Sequence, residues 1–103
     1  MNAVAKRRTL PDLREFARGQ DCLIRIPGVC RHDPETTVLC HDRGAGTAGM
    51  GQKPCDFVGA HGCDACHAVV DGRARCDFTR QEIELMFAHG VYRTLEKVWR
   101  YLQ

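Results

Sequence analysis

Cys63-Asp64-Ala65-Cys66-His67 sets two thiols three residues apart with an imidazole directly after them. Two cysteines at that spacing can wrap one tetrahedral ion as thiolates, because a knuckle turn aims both sulfurs inward. A closed site needs a second pair. Cys22 and Cys30 bracket the turn signal Pro27-Gly28, which can bring them together. The expected result is a four-thiolate structural zinc site of Cys22, Cys30, Cys63 and Cys66, tying an N-terminal strand to a later helix. Other readings of the thiols exist. Cys-x-x-Cys-His also attaches c-type haem, which requires export and an axial Met or His. A thioredoxin-like redox pair requires a βαβ setting, which the sequence does not suggest. Buried, inert cysteines are the plainest alternative, and Cys55 and Cys76 read that way. Among the histidines, His61 and His89 read as structural or exposed, and His32 as a neighbour of the knuckle.

A chain of 103 residues with a formal net charge of +2 has room for one hydrophobic core. A core of that size gains from a structural metal. Lys6, Arg7 and Arg8 form a basic run, so residues 1–9 read as a basic arm and 10–103 as one domain. A run of this kind is either a solvated tail or a phosphate-contacting arm. The first twenty residues have no apolar stretch resembling a secretion signal, and no segment reads as membrane-spanning. The expectation is a cytoplasmic protein of a bacterial host cell, without membrane partners. In that compartment seven cysteines stay reduced and clusters more often bind metal.

The elements that would position these groups follow from spacing. Leu10 to Arg18 reads as a short helix, with Pro11 in its first turn and Gly19 at its end. Cys22 to Ile26 alternates weakly like a strand. Thr36 to Cys40 is rich in β-branched residues and delivers His41 at its end. Gly44 to Gln52 reads as a long irregular loop, Asp56 to Ala60 as a second strand, and Asp64 to Val70 as a helix stopped near Gly72. Thr79 and Glu82 match a capping box for a long final helix. Ile83, Phe87, Val91, Leu95, Val98 and Leu102 would form its core stripe, with Gly90 bending it. On that reading Leu95→Ala costs roughly 2–5 kcal/mol. Trp99 and Tyr101 flank the stripe and would suit a homodimer or partner surface.

Several motifs in order resemble one family. They are Cys22-Leu23-Ile24-Arg25-Ile26-Pro27-Gly28-Val29-Cys30, Val38-Leu39-Cys40-His41-Asp42-Arg43, Lys53-Pro54 with Asp56, and Cys63-x-x-Cys66-His67 with Asp71. Together they run from Cys22 to Arg73, half the chain, and resemble the YbcO-like nucleases of prophages. That family in turn looks like a branch of the HNH, or ββα-metal, endonucleases. The resemblance implies two short antiparallel strands followed by a helix around one catalytic divalent cation. It maps a general base onto His41, and helix-borne metal ligands onto His67 and Asp71. The wider superfamily commonly has Asp or His just before the base, where this chain has Cys40. We read Cys40 as a small buried residue, with water in that coordination position.

The residue chemistry suits this mapping. His67 and Asp71 are four apart and project from one helix face toward one ion. A neutral imidazole at residue 41 can take a proton from water. Mg²⁺ or Mn²⁺ would neutralise the scissile phosphate and stabilise the departing oxygen. Arg43, two residues beyond His41, adds a cation beside the phosphate. Asp71 could instead end its helix, and a histidine at a strand end is often merely hydrogen-bonded.

The sequence therefore predicts an α+β fold: a small zinc-bound ββα-metal (HNH-like) finger with an N-terminal helix and a long C-terminal helix. The expected activity is metal-dependent endonucleolytic hydrolysis of phosphodiester bonds in duplex or branched DNA, in phage recombination or replication. The rival is a non-enzymatic zinc-finger module that binds DNA or a partner protein, which has no need for the set His41, His67 and Asp71.

Overall fold

A computed structural model describes residues 8–41 and 55–103. It is a small α+β structure: α1 (Leu13–Ala17), β1 (Val38–Cys40), β2 (Ala60–Gly62), α2 (Asp64–Val70) and α3 (Arg80–Leu102). Single 3₁₀ turns at Pro34–Thr36 and Asp56–Val58 lead into the two strands. The strands pair antiparallel, with Val38 opposite Gly62, Leu39 opposite His61 and Cys40 opposite Ala60. No helix among the described residues is long and apolar enough to cross a membrane.

The first helix is shorter than its sequence suggests because Asp12 caps it. The Asp12 carboxylate accepts from the backbone N–H groups of Arg14 and Glu15, so the helix begins after Pro11 rather than at it. Each strand likewise starts later than expected. Asp33 caps the turn over Pro34–Thr36, and the turn over Asp56–Val58 consumes most of the segment expected to be β2. Helix α2 has the expected bounds. Helix α3 opens on the expected capping box, with Thr79 accepting from the Glu82 N–H and Glu82 accepting from the Thr79 N–H.

Cys22–Ile26 is not a strand. Leu23 N–H donates to the His61 carbonyl at 2.8 Å, one isolated bond to β2 rather than a ladder. Arg25 then turns into the left-handed region at φ 56°, which ends any ladder. Cys22, Leu23, Ile24 and Ile26 are all buried while Arg25 is exposed, so the segment behaves as a core plug.

The buried stripe of α3 is Ile83, Phe87, Gly90, Thr94 and Val98. It keeps helical spacing but is rotated from the purely apolar stripe, leaving Val91 half-buried and Leu95 39% exposed. Gly90 explains the rotation. A Cβ there would lie 3.1 Å from the Ile24 Cα and 3.2 Å from the Ala60 Cβ, so the glycine lets α3 approach the plug and β2 closely. Thr94 completes the seam by accepting the His61 N–H at 2.9 Å. A small and a polar residue thus hold two positions that hydrophobic periodicity alone would pass over.

This packing fixes which truncations matter. Phe87→Ala removes a buried aromatic and should destabilise the protein by about 3–5 kcal/mol. Leu95→Ala should cost less, about 1 kcal/mol, because Leu95 is 39% exposed at the edge of the stripe. Denaturant melts of the two variants check the ranking, and equal losses would contradict the stripe described here.

Candidate metal centre and the His41 site

The four cysteines of the expected zinc set come together. The sulfurs of Cys22, Cys30, Cys63 and Cys66 all lie within 4.8 Å of one another, and Cys30 and Cys63 are 4.0 Å apart. Four thiolates about 2.3 Å from a central zinc stand roughly 3.8 Å apart, so the set fits a tetrahedral ion after a small contraction. A disulfide would need about 2 Å, and all seven cysteines are free. Cys22, Cys63 and Cys66 are buried and Cys30 is half-buried.

Local backbone geometry explains how a loop and a helix start reach one point. Cys63 is the N-cap of α2 and Cys66 lies one turn on, so both sulfurs face the same side. Arg31 N–H donates to the Cys63 sulfur at 3.5 Å and His32 N–H to the Cys30 sulfur at 3.4 Å. Backbone N–H groups of Arg25 and Ile26 serve Cys22 and Cys66 in the same way. Arg25 and His32 are the two non-glycine residues with positive φ among those described. Both strained turns therefore sit where the backbone curls to present N–H groups to sulfur, the arrangement that stabilises thiolate charge. The Cys66 thiol hydrogen-bonds the Cys22 sulfur and holds Cys22 down to about 4, while that bond and burial push Cys66 up. Burial raises Cys30 to about 11. A divalent ion bound among these sulfurs would displace their protons.

The remaining thiols differ in kind. Cys40 is fully buried, with its sulfur directed at the carbonyls of Val38 (3.7 Å) and Gly62 (3.8 Å). Burial first, and then the charges of Cys22 and Asp71, push its pKa up, as suits a neutral core thiol. Cys76 packs against the core, whereas Cys55 is exposed rather than buried.

His41 follows β1 and is partly buried. Its Nε2 lies 3.0 Å from Oδ1 of Asp56, and Nε of Arg14 lies 3.3 Å from the same oxygen. An ionised carboxylate can only accept, so Nε2 donates in this contact and Nδ1 is left as the basic atom of the neutral ring. Beside the ring lies a basin of about 220 Å³, lined by Arg14, Arg18, Val38, Leu39 and His41. His67 and Asp71 form their own pair, Nε2 to Oδ2 at 3.3 Å, and Arg73 also contacts Asp71 at 3.3 Å. Helix α2 thereby turns Cys66, Val69 and Val70 inward while His67 and Asp71 stay half-exposed. Among the described residues, the cysteines are the one group of three or more His, Cys, Asp or Glu gathered closely enough for a single ion. Arg43, Lys53 and the glycine-rich loop lie outside the described residues.

In the sequence Asp56 stands among the resembling motifs without a role, and Arg14 and Arg18 are not singled out. The i,i+4 spacing of these arginines, in α1 and at its C-cap, was a usable signal, but Asp56 stands fifteen residues from His41 and only the tertiary fold pairs them. His61 is buried rather than exposed, its Nδ1 has no hydrogen-bond partner among the described residues, and burial pushes it down to about 4. It sits against the Phe16 ring at 5.8 Å as a neutral core residue.

Residues 11–102 match the family model described as "Putative nuclease YbcO". The chain belongs to the YbcO family. It is 50% identical over 64 residues to "Putative nuclease YbcO" of Escherichia coli (strain K12), covering 62% of this chain and 67% of that protein. The same identity and coverage hold for "Putative nuclease ybcO" of Enterobacteria phage 82. The structure is also similar to one described as "Structure of a putative bacteriophage protein from Escherichia coli str. K-12 substr. MG1655". That likeness has a TM-score of 0.71 at 34% identity, over 84% of this chain and 95% of the other.

The sulfur geometry gives a direct test of the metal centre. Protein purified without added metal should carry about one zinc per chain by elemental analysis. Cys63→Ser or Cys66→Ser should abolish it and unfold or strongly destabilise the protein. Four freely titrating thiols in a folded, zinc-free protein would refute the centre.

Proposed function

We propose that the chain is a metal-dependent endonuclease of the HNH, or ββα-metal, type, acting on duplex or branched DNA in phage recombination or replication. The relatives are named as nucleases, from a bacterium and a phage. The observation that carries the reading is His41: a half-buried imidazole set by a carboxylate beside a basin with two arginines. Asp56 is a positioning residue. It fixes the ring plane and the tautomer, so that Nδ1 accepts the proton of an attacking water. Arg14 and Arg18 supply positive charge for the scissile phosphate, and Arg43 would add to it.

His67 and Asp71 are the ligands we assign to the divalent ion. Their side-chain atoms already meet at 3.3 Å, one turn apart on α2, and an ion can take the place of the proton between them. Mg²⁺ or Mn²⁺ held there supplies charge neutralisation at the phosphate and at the departing oxygen. Cys40 takes no part, since its sulfur is committed to the core. Cys22, Cys30, Cys63 and Cys66 would hold a zinc whose role is structural, since four thiolates would leave no open position for substrate.

Plasmid nicking tests the assignment. His41→Ala should keep its zinc and fold while cleavage falls roughly 10²–10⁴-fold, the usual contribution of a positioned base. Asp56→Asn should lower activity less and alter its pH profile, because the ring loses its charged anchor. His67→Ala should blunt the response to added Mg²⁺ or Mn²⁺ while DNA binding survives. Metal-loaded native protein that binds DNA and never cuts it would leave a zinc-stabilised binding module as the better account.

A further inference from the structure

A second cleft lies apart from the His41 basin. A cavity of about 740 Å³ opens on the other side of α1, between the Cys22–Ile26 plug and the last turns of α3. Arg25, Arg93, Lys97 and Arg100 line it, opposed by the single carboxylate of Glu96. Three of these cations come from α3 at spacings of four and three, so they share one helix face. The fourth is presented by the left-handed turn at Arg25, φ 56°, which the Cys22 sulfur holds in place. Arg93 is fixed by donating to the Leu23 carbonyl at 2.8 Å, whereas Arg25 and Arg100 are exposed. At one wall Tyr101 stacks edge-on to Phe16, with ring centres 5.1 Å apart. The Arg8 guanidinium lies 4.7 Å over the Tyr101 ring, which brings a fifth cation to the rim.

We propose that this cleft binds the phosphodiester backbone of DNA at a position away from the scissile bond. Four or five cations against one carboxylate, three of them on one face of α3, suit a repeating anion rather than an apolar ligand. Helix α1 joins this cleft to the His41 basin. Phe16 belongs to the cleft while Arg14 and Arg18, paired with Asp56 and Glu15, line the basin, so a backbone crossing α1 meets arginines on both sides. The inference deepens the nuclease reading by naming what anchors the substrate.

The test is binding of a labelled DNA duplex by fluorescence anisotropy across a salt series, without added divalent ion so that nothing is cut. Native protein should show a log–log salt slope that becomes shallower by about 2 in Lys97→Ala/Arg100→Ala, roughly 0.9 per cation lost. Arg25→Ala should lower affinity in the same sense. Glu96→Gln should instead tighten binding, because it removes the one opposing charge and frees Arg100 from a 3.7 Å contact. Zinc content and melting temperature confirm that each variant is folded. Unchanged affinity and slope in the double variant, or no tightening in Glu96→Gln, would overturn the proposal. The two failures are separable: an inactive native protein that still binds through this cleft defeats the nuclease reading alone.

Discussion

Four sulfurs within 4.8 Å of one another tie the Cys22–Cys30 loop to the start of α2, and the core of the described residues is built around that tie. Two come from an irregular loop with little hydrogen-bonded structure of its own, and two from the first turn of a seven-residue helix. Neither segment is stable alone, since short helices and loops do not recover their ordering entropy without tertiary partners. Gathering the sulfurs puts Ile24 and Ile26 in the centre of the core, where each is at most 1% exposed. Against that plug fit Gly62 and Gly90, where a side chain would crowd Ile24. A Cβ at Gly62 would lie 2.6 Å from Ile24 Cδ1, and one at Gly90 would press on the Ile24 backbone. The centre thus acts through Ile24 on β2 and α3 together, which is why a two-stranded sheet this small can persist.

The same arrangement shows what was legible in the residues. The cysteine set was readable because metal geometry restricts ligand spacing more tightly than a core restricts side chains. The bounds of α2 and the capping box of α3 were readable because both are local, depending on atoms within one turn. The core face of α3 was only half legible. Phe87 and Val98 obey hydrophobic periodicity, but Gly90 and Thr94 are buried for reasons set by other segments, a close backbone approach and a bond to the His61 N–H. Cys22–Ile26 misled for a related reason: its alternating apolar residues serve sulfur geometry, and Arg25 leaves the extended region to supply it. His41 was identified by resemblance, whereas its partner Asp56 depends on a long-range pairing that no spacing rule encodes.

Helix α2 joins stability to the proposed chemistry. It spends its inward face on Cys66, Val69 and Val70 and carries His67 and Asp71 on the half-exposed side. Fixing Cys63 and Cys66 on an ion fixes the helix phase, and so the direction of the His67–Asp71 pair, with no further contact needed. On this view structural metal is a precondition for the catalytic one. The separation of sites also separates ligand chemistry: soft sulfur ligands are enclosed with N–H donors, and an imidazole and a carboxylate, the harder donors, pair on the other side of the helix.

Helix α1 makes the corresponding link for charge. Only five residues long, it would not hold in isolation, yet it is capped by Asp12 and pinned by Arg14 to Asp56. Its placement puts Arg14 and Arg18 beside His41 and Phe16 against Tyr101 of α3. Asp56 therefore does two things with one oxygen, orienting the imidazole through Nε2 and drawing α1 onto the sheet through Arg14. The exposed ion pair alone is worth little in water. Its value is geometric: it keeps the two arginine-lined surfaces in fixed register across α1, so a long anion held on one side is presented to the imidazole on the other. A net charge of only +2 is enough for such a surface where cations cluster: among the described residues Glu96 is the one carboxylate lining the cleft, while Asp56 at the basin is engaged by His41 and Arg14.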